Sequence, residues 1–225
     1  MFLCEDLPHE ATTRITTWIT QSRRFYAFAL DNRSKIRKKL RTAVTPESLQ
    51  STLLELEVAH YFLADRRCLV EYERYGLGKG RSPDLTVTFR ARTLLNLEVT
   101  LVKDPTPETP QWEGKLIGIV CDKLGQMPPE SLNVLVASAE RGSLTLEEVA
   151  QAMQRLKERI EKREGELLSR WGFAVPADFF KQFQRLSGIV VWQREEHAMG
   201  EGKGLWVNPQ ARRPLPTEIV ALLKA

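Results

Sequence analysis

The sequence predicts an α/β protein: a mixed β-sheet flanked by helices on both faces. Two unbroken apolar runs, Val134-Leu135-Val136-Ala137 and Gly188-Ile189-Val190-Val191-Trp192, read as interior strands covered on both sides. Two further runs, residues 85–89 and 94–102, alternate in polarity and are separated only by Arg90-Ala91-Arg92, the pattern of a hairpin. A helical segment over 112–126 lies between that hairpin and the first apolar run. Strand, helix, strand in that order implies a right-handed parallel crossover, so the sheet is expected to mix parallel and antiparallel pairs.

The elements follow in chain order. Residues 9–41 read as helical and polar, ending in the basic stretch Arg33-Ser34-Lys35-Ile36-Arg37-Lys38-Lys39-Leu40-Arg41. Thr45-Pro46-Glu47-Ser48 is a helix start, with a capping hydroxyl and proline at the first position. The helix after it carries Leu49, Leu53, Leu56 and Leu63 at helical spacing, a stripe that faces a core. Residues 69–75 form a strand closed by the glycine-rich 76–80, and Pro105, Pro107 and Pro110 mark a loop. Residues 143–170 and 176–186 read as helices, and 193–217 as mostly loop. No linker divides the 225 residues, so one domain is expected, with N-terminal helices over 9–41 and a helical insertion over 143–186.

Composition excludes little but removes some classes. Cys4, Cys68 and Cys121 are an odd, scattered set without a paired spacing, which reads as reduced thiols, and His9, His60 and His197 form no zinc pattern with them. No apolar run reaches the roughly 18 residues of a membrane span, and the acidic Glu5-Asp6 does not suit a signal peptide, so a cytoplasmic location is expected. A net charge of +4 is compatible with a polyanionic partner without requiring one.

The chemistry concentrates in the hairpin. Leu95, Leu97, Val99 and Leu101 alternate with Asn96, Glu98 and Thr100, so one face of that strand is apolar and the other polar. An edge strand facing water would show the same alternation. Asp84, however, opens the preceding strand, with Thr86 and Thr88 on its face. If Arg90, Ala91 and Arg92 form a three-residue loop, Phe89 faces Thr93 and Asp84 falls opposite Glu98, with β-carbons about 5 Å apart. Two carboxylates that close repel unless a positive charge lies between them, and a divalent cation with oxygen ligands is the natural candidate.

Glu55-Leu56-Glu57-Val58-Ala59, then Pro83-Asp84, then Glu98-Val99-Thr100, resembles the core of the PD-(D/E)XK, or restriction-endonuclease-like, nuclease superfamily over about residues 50–138. The resemblance implies that fold, with 188–192 completing its core. It also implies Asp84 and Glu98 as ligands of Mg²⁺ or Mn²⁺, Glu55 as the helix acid (Glu57 being the alternative), and hydrolysis of DNA or RNA phosphodiesters. The chain departs from the pattern at Thr100, where the family places a lysine; threonine can bond a water but carries no charge. Among substitutes, Lys103 points away by alternation and Lys123 lies about 12 Å further along its helix than Lys115. Lys115 is therefore the expected replacement, against the alternative of a solvated helix lysine.

The remaining signals have ordinary readings. Residues 76–82 lack the spacing of a phosphate loop, though Lys79 and Arg81 could meet a nucleic-acid backbone, and the stretch 33–41 is another possible phosphate contact that reads by preference as a solvated helix face. Trp112 and Trp192 are expected in the core. The functional expectations are thus a metal-dependent nuclease, a non-catalytic protein of the same fold that binds nucleic acid or a protein partner, or an interaction module with solvated acids. A homodimer is compatible with the chain, with no feature demanding it.

Overall fold

The computed structural model describes residues 9–74, 82–105, 112–140, 144–193 and 203–225. Three N-terminal helices, α1 (His9–Gln21), α2 (Arg23–Asp31) and α3 (Arg33–Thr42), precede α4 (Pro46–Ala64). Then come β1 (Cys68–Tyr72), β2 (Leu85–Phe89), β3 (Thr93–Val102), α5 (Trp112–Leu124) and β4 (Leu132–Ala139). The chain closes with α6 (Leu146–Glu161), α7 (Gly165–Arg170), α8 (Pro176–Phe183), β5 (Gly188–Val191), β6 (Gly204–Val207) and α9 (Thr217–Lys224).

Six strands form one sheet in the order β1-β2-β3-β4-β5-β6. β1, β2 and β3 run antiparallel, β3–β4 and β4–β5 are parallel, and β6 returns antiparallel on β5. The sheet is therefore mixed, with the parallel pairs at its centre. Period-two alternation divides its side chains between two cores. Leu85, Val87, Phe89, Leu95, Leu97 and Val99 join Leu53, Leu56 and Phe62 of α4 on one face. On the other, Leu135, Ala137 and Ile189 pack against Leu116, Val120, Met153 and Phe183 of α5, α6 and α8.

Capping follows the residue chemistry. Thr45 and Ser48 cap α4 reciprocally with Pro46 in the first turn, and Thr145 and Glu148 do the same for α6. α4 itself differs from the single stripe its leucines suggest. Leu54, Glu55, Glu57 and Val58 are buried as well as Leu53 and Leu56, because the N-terminal helices cover its outer side with Ile15, Trp18, Phe25, Phe28, Ile36 and Leu40. A helix wrapped on both sides loses its polar face.

The expected loop over 193–217 contains β6, and Gly188 accounts for how closely β6 approaches. A β-carbon there would lie 2.8 Å from the Trp206 carbonyl oxygen and 3.1 Å from Leu215 Cδ1. Gly188→Ala is expected to cost about 2 kcal/mol through overpacking, measured as a fall in the denaturation midpoint at unchanged slope. The helix expected over 143–170 breaks after Glu161, with Arg163 left-handed at φ 56° before α7 begins. Cys68 and Cys121 are free thiols in the core.

Candidate functional site

The turn after β2 sets the register of the hairpin. Arg90 and Ala91 are both left-handed, at φ 49° and 56°, and the Arg92 N–H donates to the Phe89 carbonyl at 3.1 Å. Phe89 pairs with Thr93 and Leu85 with Leu97, so the next position brings Asp84 opposite Glu98, as the three-residue loop predicts. Backbone pairing of β2 stops there, whereas β3 continues to Val102. The Val99 N–H, left without a β2 carbonyl, is taken by Asp84 Oδ2 at 2.8 Å. Strand N–H groups lie in the sheet plane, so the Asp84 carboxylate caps a notch in the sheet edge and meets groups from both faces.

From one side comes Glu55 of α4. Its carboxylate accepts from the Tyr72 hydroxyl at 2.6 Å and from Lys39 Nζ at 2.7 and 3.0 Å. The Lys39 ammonium also lies 3.1 Å from Glu73 and 4.0 Å from Asp84, and 5.1 Å from the centre of the Tyr72 ring. From the other side comes Glu98, whose Oε2 accepts from Lys123 of α5 at 2.7 Å. Four carboxylates (Glu55, Glu73, Asp84, Glu98) face two ammonium groups, which leaves a net charge of −2 when all are ionised.

Burial and the Asp84 charge push the Glu55 carboxyl up to about 7, against the pull of Lys39 and the Tyr72 hydroxyl. Burial and Asp84 likewise raise Glu98, with Lys123 opposing. Burial works against both ammonium groups, yet the surrounding carboxylates hold Lys39 and Lys123 above the usual lysine range. Asp84 is the strongest charge acting on Lys123 and also acts on Lys39, which places it electrically between the two lysines.

The polar face behind the acids is satisfied. Thr86 donates to Asn96 Oδ1 at 3.1 Å, and Asn96 donates to Asn133 Oδ1 at 3.3 Å. Glu98 Oε1 is not: it is buried, with no hydrogen-bond partner among the described residues. An orphaned carboxylate oxygen beside a second carboxylate is where a cation would bind. Mg²⁺ commonly uses one or two protein carboxylates and completes its shell with water and phosphate oxygens. Asp84 and Glu98 fit that pattern, although no group of three or more His, Cys, Asp or Glu poised for a metal occurs among the described residues.

The remaining expected residues sort by position. Thr100 shares the Glu98 face but sits in register with Ala137, and no hydrogen bond joins it to the acids among the described residues. Lys103 is exposed. Lys115 does not reach Glu98; its ammonium donates to the Asp104 carbonyl and ties the start of α5 to the end of β3. Lys123 takes the place expected for Lys115. Glu98 lies four residues, about 13 Å, back from the end of β3. α5 must run back along the strand, and Lys123 lies eleven residues, about 16 Å, from its start, so strand and helix bring the two level. Glu57 is turned elsewhere, to Arg14 and to Trp192 Nε1 at 2.8 Å. Lys79 and Arg81 lie outside the described residues.

Sequence reasoning missed Lys39, Tyr72 and Glu73. The available signal was the spacing of Lys35 and Lys39 beside the apolar Ile36 and Leu40, which marks the inward side of α3. Lys35 confirms that side by donating to the Tyr72 and Glu73 carbonyls at 2.8 and 3.0 Å. No helix among the described residues is long and apolar enough to cross a membrane. The chain matches no family model, and neither a curated protein nor a solved structure is significantly similar to it.

Proposed function

We propose that the chain is a metal-dependent nuclease of restriction-endonuclease-like fold that hydrolyses phosphodiester bonds of DNA or RNA. The observation that carries the reading is Glu98: a buried carboxylate with one oxygen on Lys123, one oxygen without a partner, and Asp84 beside it. Asp84 and Glu98 would hold Mg²⁺ or Mn²⁺, which supplies a water of lowered pKa and stabilises charge on the phosphate.

The protein's own groups have separable tasks. Asp84 is fixed by the Val99 N–H on one oxygen, which leaves the other, 4.0 Å from the Lys39 ammonium, as the one that would meet a cation. Lys123 opposes the burial that raises Glu98 and offers a positive charge beside the reacting phosphate, the task the missing strand lysine performs in the family. Glu55, near neutrality in its titration and bonded to Tyr72, is placed to accept or release a proton at the edge of the site.

The test is cleavage of labelled DNA and RNA with Mn²⁺, comparing the parent with Asp84→Asn and Glu98→Gln. Both variants are expected to lose cleavage while keeping a cooperative unfolding transition. An inactive parent, or variants as active as the parent, would overturn the proposal. One observation favours the non-catalytic reading instead. Lys39 already stands among Glu55, Glu73 and Asp84 and partly supplies the charge a metal would bring. On that reading the same assay shows nucleic-acid binding without cleavage.

A further inference from the structure

The side of α3 facing away from the acids carries cations and hydroxyls and no carboxylate. At 100° per residue, Ser34, Arg37, Lys38, Arg41 and Thr42 form one stripe, turned away from Ile36, Lys39 and Leu40. Those five residues line an open recess of about 600 Å³. Five exposed arginines elsewhere are neutralised, Arg67 by Asp65, Arg90 by Glu218, Arg155 by Glu113, and Arg212 and Arg213 by Glu130, whereas Arg23, Arg66, Arg92 and Arg163 stand singly without a carboxylate partner among the described residues. Lys38 and Arg41 have no carboxylate partner among the described residues.

The helix is also electrostatically unfavourable by itself. It holds six cations and no acid in ten residues, with like charges at Arg33/Arg37, Lys35/Lys39 and Arg37/Arg41 four apart. Each such pair opposes the helix by a few tenths of a kcal/mol. Its first turn carries Arg33 and Lys35 where the helix dipole favours acids, and Asn32 makes no side-chain cap. A helix face that served only to meet water would relieve this with glutamates at i±4. Within the protein that relief reaches the inward side of the helix, where Lys39 meets Glu55, Glu73 and Asp84 and Lys35 meets two carbonyls. It does not reach Lys38 and Arg41 on the outer side, whose clustered charge suits a regularly charged polymer.

We propose that this stripe of α3 is a docking surface for the phosphate backbone of nucleic acid, gripped chiefly by charge, with Lys38 and Arg41 as its contacts, without regard to base sequence. Only the choice of polymer rests on the nuclease reading. The stripe extends from Ser34 to Thr42, a rise of about 12 Å, which spans about three nucleotide steps of a duplex strand. Because Lys39 leaves the opposite side of the same helix for Asp84, a strand on the stripe lies one helix diameter, about 10 Å, from the acids.

The test is binding of a labelled mixed-sequence DNA duplex in EDTA, where cleavage cannot intervene, as a function of salt. Lys38→Gln/Arg41→Gln is expected to weaken binding about tenfold or more near 0.1 M salt. It should also reduce the slope of log K against log salt by about 1.8, for two lost phosphate contacts. Arg212→Gln/Arg213→Gln, a cation pair already held by Glu130, is expected to leave the slope unchanged. Unaltered affinity and slope in the α3 variant would overturn the proposal, as would a parent that binds phosphatidylserine vesicles and no duplex. If the parent never cleaves with Mn²⁺ but the α3 variant still loses binding, the nuclease reading fails and the docking surface stands.

Discussion

Lys123→Ala is expected to destabilise the protein by about 3 kcal/mol at pH 8 and to abolish cleavage. Removing one partner of a buried ion pair leaves the other charge uncompensated, which costs about 3–5 kcal/mol when both are fully enclosed. Glu98 is 5% exposed and Lys123 25%, which sets the expectation at the lower end. The loss carries a pH signature. Burial and Asp84 already raise Glu98, and without Lys123 it rises further, so the folded variant favours the protonated carboxyl. The penalty is therefore full at alkaline pH, declines as pH falls through the raised folded pKa, and is gone near 4.5, where the unfolded chain also takes up the proton. Two further measurements separate this from a general packing defect. Lys123→Ala/Glu98→Gln should recover most of the lost stability, because the uncompensated charge is gone. Mn²⁺ should raise the melting temperature of Lys123→Ala more than that of the parent, since a cation now replaces the missing charge. Equal destabilisation at pH 4 and pH 8 would show that Lys123 acts through packing alone.

Glu55 predicts a second large effect, of opposite sign to that of an ordinary carboxylate. Its folded pKa stands above its unfolded value, about 7 against 4.5. Between those values the folded state binds more protons than the unfolded state, so stability falls as pH rises. The full difference corresponds to at most about 3 kcal/mol lost between pH 4.5 and 7 in the metal-free protein. Glu55→Gln keeps the shape and an acceptor for the Tyr72 hydroxyl, while Lys39 retains Glu73 at 3.1 Å. The variant should therefore lack this decline and be the more stable form at pH 7. Denaturation curves across that window test it, read as the difference between parent and variant. Parallel pH profiles would show that Glu55 ionises at its ordinary pKa.

The parts of this site visible in the sequence are those governed by local rules. Alternation over residues 93–102 separates Glu98 from the apolar residues, and a three-residue loop is enough to bring Asp84 across from it. Both follow from period two and chain connectivity. Lys123 is legible in principle, because the distance that matters runs from Glu98, four residues inside β3, and not from the strand end. Lys39 and Tyr72 arrive by tertiary docking of α3 and β1, which no spacing along the chain encodes. α4 shows the same limit, since its outer polar positions Glu55 and Glu57 look solvated until the N-terminal helices cover them. β6 was hidden because a four-residue edge strand beside a glycine- and proline-rich stretch carries too little periodicity to register.

The hairpin turn also limits which descendants of this sequence can keep the site. Arg90, Ala91 and Arg92 are exposed and begin six residues from Asp84 across β2, about 20 Å away. Exposed loops at that distance normally accept insertions and deletions freely. Here a single residue gained or lost would set Asp84 opposite Leu97 or Val99 and turn it to the other face, separating the two carboxylates without touching either. Length at this turn should consequently be inherited more strictly than identity, with glycine or asparagine tolerated at the two left-handed positions and no change in residue number.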